Sequence, residues 1–224
     1  MRKLYLSQCN MKKGKTVIIL ILVLSFTFAF TALFLFLKLV DTQLIKVLLN
    51  CIIYLIVGCP ALVAYKIQGG KIKELFIKGN KKQYLLAFAI FAVLSVTIAL
   101  VPALLGNSII GGSLAFDIET LILYAVFFIL FVGPIEEFIF RIYVQETLEN
   151  VFEKHKWLAP LLSSLLFGLW HFTNGSLMQV IFTFLIGLVF AFSRYYFKNC
   201  TYLSLALSHG LYDFFNIVIR MFII

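Results

Sequence analysis

The sequence has few charged residues for its length. Only 13% of the 224 residues are Asp, Glu, Lys or Arg, whereas 62% are hydrophobic. This balance excludes a water-soluble domain with an ordinary polar surface. The apolar residues form uncharged runs, and an α-helix needs about 20 such residues to cross the hydrocarbon layer. The composition therefore predicts an all-α, polytopic transmembrane helix bundle.

Cysteine and histidine are also scarce, with four cysteines and three histidines. Cys9, Cys51, Cys59 and Cys200 have no metal-ligand spacing, so we expect ordinary buried thiols rather than ligands or disulfides. The net charge of +9 does not indicate nucleic-acid binding, because the basic residues form short clusters between apolar runs. We interpret these clusters as signals of membrane topology.

Seven apolar runs can be placed along the chain. They cover 17–37, 47–65, 84–105, 118–150, 157–172, 177–193 and 201–219. The basic residues of 2–15 and 66–82 indicate a cytoplasmic N-terminus, with uncharged external loops at 106–113 and 173–176. Several charged residues near the later runs are expected to mark the return to cytoplasmic water: Glu146, Glu149, Glu153, Lys154, His155, Lys156, Arg194 and Lys198. We predict a single integral membrane domain, with N-terminal helices in 16–113 and a C-terminal part in 114–224.

Three charges interrupt the fourth run, in the stretch Glu136-Glu137-x-x-x-Arg141. An ionised side chain deep in a bilayer costs at least a few kcal/mol unless it is paired or lines a polar cavity. This stretch is therefore the first candidate for a functional site. Pro134, just before it, removes a backbone hydrogen bond and is expected to kink the helix.

Two histidines in later apolar runs, His171 and His209, are expected to lie at a similar depth in the membrane as Glu136. This depth falls in the cytoplasmic half of the bilayer. Counted from the ends of their runs, His171 and His209 lie about 12 to 15 Å from the cytoplasmic surface. Residues four apart share a helical face, which groups Glu137 with Arg141, Phe167 with His171, and His209 with Asp213. One carboxylate and two imidazoles in an apolar pocket are suited to activating water.

The ordered motifs Glu136-Glu137-x-x-x-Arg141, Phe167-x-x-x-His171 and His209-x-x-x-Asp213 resemble those of the CAAX prenyl protease and bacteriocin-processing (CPBP, Abi) family of intramembrane proteases. The resemblance covers residues 118–219 and implies that 114–224 is the catalytic core. It implies a bundle of seven or eight helices, with a pocket open to the cytoplasm. It also implies that Glu136 is the general base and that His171 polarises water, while His209 and Asp213 stabilise the oxyanion. Glu137 and Arg141 would then form a structural pair.

The resemblance leaves the metal and the role of Asp213 open. Glu136, His171 and His209 are an acceptable zinc set, but glutamate and histidine can activate water alone, and we favour that mechanism. Asp213 can donate to an oxyanion only when it is protonated, so it could instead orient His209 or a metal.

Other protease classes fit less well. The chain has no His-Glu-x-x-His and no Gly-x-Ser-Gly, and Tyr212-Asp213 lacks a second aspartate in a Gly-x-Gly-Asp motif. We therefore predict an endopeptidase acting on a membrane-associated peptide or protein. Bacterial relatives in this family suggest bacteriocin immunity or peptide maturation, and the Lys-, Phe- and Ile-rich composition suits a bacterial source. The alternative is a non-catalytic immunity or peptide-transport component of the membrane.

Overall fold

The computed structural model describes residues 6, 11–76, 81–106, 112–173 and 177–224. In these residues the chain is helical and contains no strand. The seven main helices are α1 (Lys13–Phe36), α2 (Gln43–Ile67), α3 (Lys82–Leu104), α4 (Ile118–Val151), α5 (Leu158–Trp170), α6 (Leu177–Tyr196) and α7 (Tyr202–Phe222).

The helices match the seven predicted runs, so the predicted all-α membrane bundle is confirmed. In the described part of the chain, α1 to α4 and α6 are each long and apolar enough to cross a membrane, while α5 is a shorter apolar helix. The chain is therefore a multi-pass membrane protein. Most of the predicted loops 106–113 and 173–176 lies outside the described residues, as do Arg2, Lys3 and Cys9.

The central helix of the bundle is α4. Asp117 caps its first turn by accepting a hydrogen bond of 2.9 Å from the backbone N–H of Thr120, and hydrogen bonding from Thr120 lowers the pKa of the Asp117 carboxyl. The stretch Phe138–Val144 is buried on every side, because α1, α2, α5, α6 and α7 all pack against α4. Charged groups carried by this part of α4 must therefore find partners within the protein.

The backbone of α4 departs from regular α-helix around the predicted kink. It is π-helical at Phe128–Val132, immediately before Gly133 and Pro134, and again at Phe138–Val144. A π-helical turn commonly marks a functional site within a helix. The two stretches flank Glu136 and Glu137, so they set the direction in which each carboxylate points.

Two glycines let α4 and α7 approach closely. A Cβ added at Gly133 would lie 2.6 Å from the carbonyl oxygen of Ala206, and one added at Gly210 would lie 2.6 Å from the carbonyl oxygen of Phe128. Backbone atoms cannot move aside as a flexible side chain can. Small residues therefore bring these helices together, and the contact lies beside both the carboxylates of α4 and His209.

Replacing Gly210 by Ala is expected to destabilise the protein by about 1–3 kcal/mol, the usual range for overpacking. The added methyl group would push α7 away from α4. Thermal unfolding of the purified protein in detergent measures this effect. Gly14→Ala is the matched control, because a Cβ at Gly14 meets no atom within 4 Å. Equal unfolding midpoints for the two variants would contradict the close contact.

The charged residues near the end of α4 do not reach water, which corrects the prediction for Glu146, Glu149 and Arg194. Arg194 Nη2 lies 2.6 Å from Glu146 Oε1, and both side chains are 1% exposed. The backbone N–H of Leu6 also donates to Glu146, and Arg194 donates to the carbonyl of Cys200. Since these groups satisfy one another, the charges are buried as a cluster that ties α4 to α6 and to Leu6.

The three described cysteines are free. Cys200 is buried as predicted, Cys51 is partly buried, and Cys59 is exposed. The prediction of a buried thiol is therefore wrong for Cys59, which is exposed on α2 and lines an apolar cavity together with Leu62 and Phe138.

Candidate active site

The predicted carboxylate and both predicted imidazoles meet between α4, α5 and α7. Glu136 Oε2 lies 3.6 Å from His209 Nε2 and 4.0 Å from His171 Nε2. Glu136 is buried, and its Oε2 makes no hydrogen bond to any described residue. The structure thus places an unpaired, inward-facing carboxylate oxygen between two imidazole nitrogens.

His209 is held from several sides. Its Nδ1 lies 2.8 Å from Glu137 Oε1, and its Nε2 lies 3.4 Å from Asp213 Oδ2. Because an ionised carboxylate only accepts hydrogen bonds, the short contact with Glu137 puts a proton on Nδ1. The Phe190 ring stacks on the imidazole, with 5.0 Å between centroids. These contacts fix the orientation of the ring and aim Nε2 at Glu136.

His171 is oriented by the residue four positions earlier. Its Nδ1 lies 2.8 Å from the carbonyl oxygen of Phe167, at the end of α5. A carbonyl only accepts, so Nδ1 carries the proton, and Nε2 of a neutral His171 presents a lone pair toward Glu136. The Phe167-x-x-x-His171 motif therefore sets the tautomer of this imidazole through its backbone.

Glu137 and Arg141 form the predicted pair, and both side chains are fully buried. Arg141 Nε lies 3.4 Å from Glu137 Oε2, Nη2 donates to the carbonyl of Gly187, and the guanidinium carbon lies 4.3 Å from the centroid of the Phe167 ring. Glu137 binds Arg141 through one oxygen and His209 through the other. It therefore connects the helix-fixing pair to the site itself, which the sequence did not indicate.

Tyr54 of α2 is the contact that sequence reasoning missed. Its hydroxyl donates to Glu136 Oε1 at 2.6 Å, and its ring packs against Phe34, Phe127 and Trp170. Because Oε1 is occupied, Oε2 is the oxygen left facing the histidines. The one signal in the sequence was a tyrosine in the middle of an apolar run, with no local motif to connect it to Glu136.

A cavity of about 660 Å³ adjoins these residues. Its walls combine apolar and aromatic side chains with a few polar groups, including Tyr54, Glu136, His171, His209, Asp213, Thr183, Gln179, Asn216 and Arg220. This size and mixed lining are typical of small-ligand and substrate pockets.

The residues that could bind zinc are Glu136, His171 and His209. In the described ranges no group of three or more His, Cys, Asp or Glu side chains is arranged to hold a metal ion. One nitrogen of each imidazole is engaged by Phe167 or Glu137, and the remaining nitrogens lie at 4.0 and 3.6 Å from Glu136 Oε2. Glu136 and the two histidines can activate water without a metal, and elemental analysis of the purified protein tests whether they hold one.

The fold and these residues together define a multi-pass membrane protein with a buried Glu and His site of the kind that hydrolases use. Residues 118–215 match the family model described as type II CAAX prenyl endopeptidase Rce1-like. The match contains every residue of the three motifs, so the family resemblance is confirmed and supports a CAAX-type intramembrane endopeptidase at the level of the family. We found no significant match to a curated protein or to a solved structure.

Proposed function

We propose that the chain is an intramembrane endopeptidase that hydrolyses a peptide bond in a membrane-associated peptide or protein. The observation that carries this proposal is the placement of Glu136 Oε2 and His171 Nε2, two hydrogen-bond acceptors 4.0 Å apart beside a cavity. A water molecule about 2.8 Å from each atom can donate one hydrogen to each acceptor. Its lone pairs then remain available for attack.

In the first step Glu136 takes a proton from this water as the oxygen attacks the carbonyl carbon of the substrate. The new carbon–oxygen bond converts the carbonyl oxygen into an oxyanion. His209, protonated on both nitrogens, donates from Nε2 to that oxyanion. Glu137 accepts from Nδ1 of the same ring at 2.8 Å and balances its charge.

In the second step the carbon–nitrogen bond breaks, and Glu136 returns its proton to the leaving amine. The carbonyl double bond re-forms as the amine leaves, so the immediate products are a carboxylic acid, which keeps the second proton of the water, and an amine. At neutral pH that proton passes to the amine, giving a carboxylate and an ammonium group, and Glu136 is regenerated as the base. Asp213 lies 3.4 Å from His209 Nε2. This contact supports a role for Asp213 in orienting His209 over a role as an oxyanion donor.

Replacing Tyr54 by Phe is expected to lower kcat about tenfold and leave KM unchanged, since one hydrogen bond to a charged group contributes about 1.5–3 kcal/mol. Phe keeps the ring packing but frees Glu136 Oε1, so the base no longer has a fixed orientation. The matched control is Tyr143→Phe, because Tyr143 is buried, contacts Gln68 and lies outside the cavity. A tenfold loss in the control, or none in Tyr54→Phe, would contradict the positioning role.

Metal independence remains a prediction. We expect purified wild-type protein to contain zinc well below one atom per chain and to keep its activity in a chelator. Elemental analysis of wild type and Glu136→Gln measures this directly. Stoichiometric zinc that disappears from the variant together with activity would overturn the glutamate mechanism.

The substrate we propose is a peptide of the bacteriocin-immunity or peptide-maturation type. Purified wild-type and Glu136→Ala proteins would be incubated with candidate membrane peptides, and new termini sought by mass spectrometry. Termini that appear only with wild type support the endopeptidase. A non-catalytic immunity or transport protein would yield no new termini, and its protective or transport activity would survive Glu136→Gln and His171→Ala.

A further inference from the structure

One wall of the cavity beside Glu136 is a row of polar side chains on α7. His209 is followed along this wall by Asp213, Asn216 and Arg220. Their spacing of three or four residues puts them on one face of the helix. His209 and Asp213 belong to the third motif, whereas Asn216 and Arg220 lie outside all three motifs. At 1.5 Å per residue, the row continues for about 16 Å along α7 from His209 to Arg220.

Arg220, at the far end of this row, is held by the segment before α4. Its Nε donates to the carbonyl oxygen of Gly112 at 2.8 Å, and its own carbonyl oxygen accepts a hydrogen bond from the backbone N–H of Leu114. The bond to Gly112 uses one of the five guanidinium N–H groups. The two terminal nitrogens of the planar fork remain for a ligand, and this fork matches the two oxygens of a carboxylate.

Arg220 has no ion-pair partner in the part of the chain that the structure describes. The buried cations Arg141 and Arg194 are each paired with a glutamate, at 3.4 and 2.6 Å. A cation within a membrane protein normally pairs with another group or marks a functional site. Because Arg220 lines the same cavity as Glu136, its anionic partner is expected on the molecule that enters the cavity.

We propose that Arg220 binds a carboxylate of the substrate and thereby sets the position at which the peptide is cut. This inference rests on the proposed endopeptidase function. An extended peptide advances about 3.3 Å per residue, so the row of polar side chains from His209 to Arg220 spans about five residues of substrate. The carboxylate is therefore about five residues from the hydrolysed bond. It can be the C-terminal carboxylate or the side chain of an aspartate or glutamate, because both present the same two oxygens.

Three fluorescent peptides built from leucine and alanine separate the two sources of the carboxylate. The first has one internal glutamate and an amidated C-terminus, and the second has glutamine in its place and a free C-terminus. The third has glutamine and an amidated C-terminus, so it has no carboxylate. Binding is measured by fluorescence anisotropy with Glu136→Gln, which lacks the proposed base, and cut sites are measured by mass spectrometry with wild-type Glu136. Binding thus tests Arg220 without requiring cleavage.

We expect the first or the second peptide to bind Glu136→Gln about tenfold more tightly than the third, as hydrogen bonds to a charged group allow. Adding Arg220→Met should remove this preference. Adding Lys198→Met, which removes an exposed cation outside the cavity, should keep it. Moving the preferred carboxylate by one residue should move the cut by one residue, and the cut made by Arg220→Met should not follow. A merely structural role would weaken binding of all three peptides equally.

The inference is overturned if Arg220→Met keeps the carboxylate preference, if Glu136→Gln shows none, or if no peptide binds. It is also overturned if Arg220→Met loses co-purified phospholipid while its peptide preference is unchanged, because Arg220 would then hold a lipid head group. Preferred binding without any cleavage would support the carboxylate site and contradict the proposed function. Cleavage without a carboxylate preference would do the reverse.

Discussion

Glu136→Gln is expected to leave a folded protein with cleavage reduced on the order of 10³-fold, within the range that general-base catalysis contributes. The amide keeps the size of the side chain and can still accept the hydrogen bond from Tyr54, but it cannot take a proton from water. Initial cleavage rates measure the loss. Size-exclusion elution and the unfolding midpoint in detergent show whether the fold is kept.

The neighbouring Glu137 provides the matched control. Glu137→Gln weakens two contacts, with His209 at 2.8 Å and with Arg141 at 3.4 Å, and it leaves the Arg141 cation buried without a countercharge. We therefore expect a lower unfolding midpoint as well as reduced activity. If Glu137→Gln were folded and inactive while Glu136→Gln were unstable, the two glutamates would have the reverse roles.

Arg194→Met is expected to destabilise the protein by about 3–5 kcal/mol, the usual cost of removing one member of a buried ion pair. Glu146 would keep the hydrogen bond from the backbone of Leu6 but lose its contact with Arg194. The unfolding midpoint in detergent measures the effect. Cleavage by the folded fraction should be unchanged, because neither residue lines the cavity.

A double variant separates the charge effect from simple loss of packing. Adding Glu146→Gln to Arg194→Met also removes the buried carboxylate that has lost its contact with Arg194, so the double variant should be more stable than Arg194→Met alone. Lys198→Met is the control for the loss of an exposed cation nearby, and it should have the wild-type midpoint. Equal stability of Arg194→Met and Lys198→Met would contradict the buried pair.

The sequence was most informative where residues interact within one helix. The four-residue spacing predicted that Glu137 would pair with Arg141 and that His209 would lie beside Asp213, and the structure has both contacts. Helical periodicity fixes such neighbours whatever the tertiary packing. The lengths of the apolar runs likewise predicted the seven helices within a few residues.

The contacts between helices were less predictable. Tyr54 and Glu136 are 82 positions apart, and no local pattern records that their helices adjoin. Glu146 and Arg194 were predicted to face water, because charged residues normally mark the end of a membrane span. In the structure both side chains are buried, and each charge offsets the free-energy cost of burying the other.

The shortness of α5 bears on the lipid around the protein. Its 13 residues span only about 20 Å, whereas the hydrocarbon layer is about 30 Å thick. Bilayers adapt to a short apolar segment by thinning beside it. Because α5 ends at Trp170, one residue before His171, we expect such thinning next to the reactive groups. It would shorten the path by which water and a peptide substrate reach Glu136.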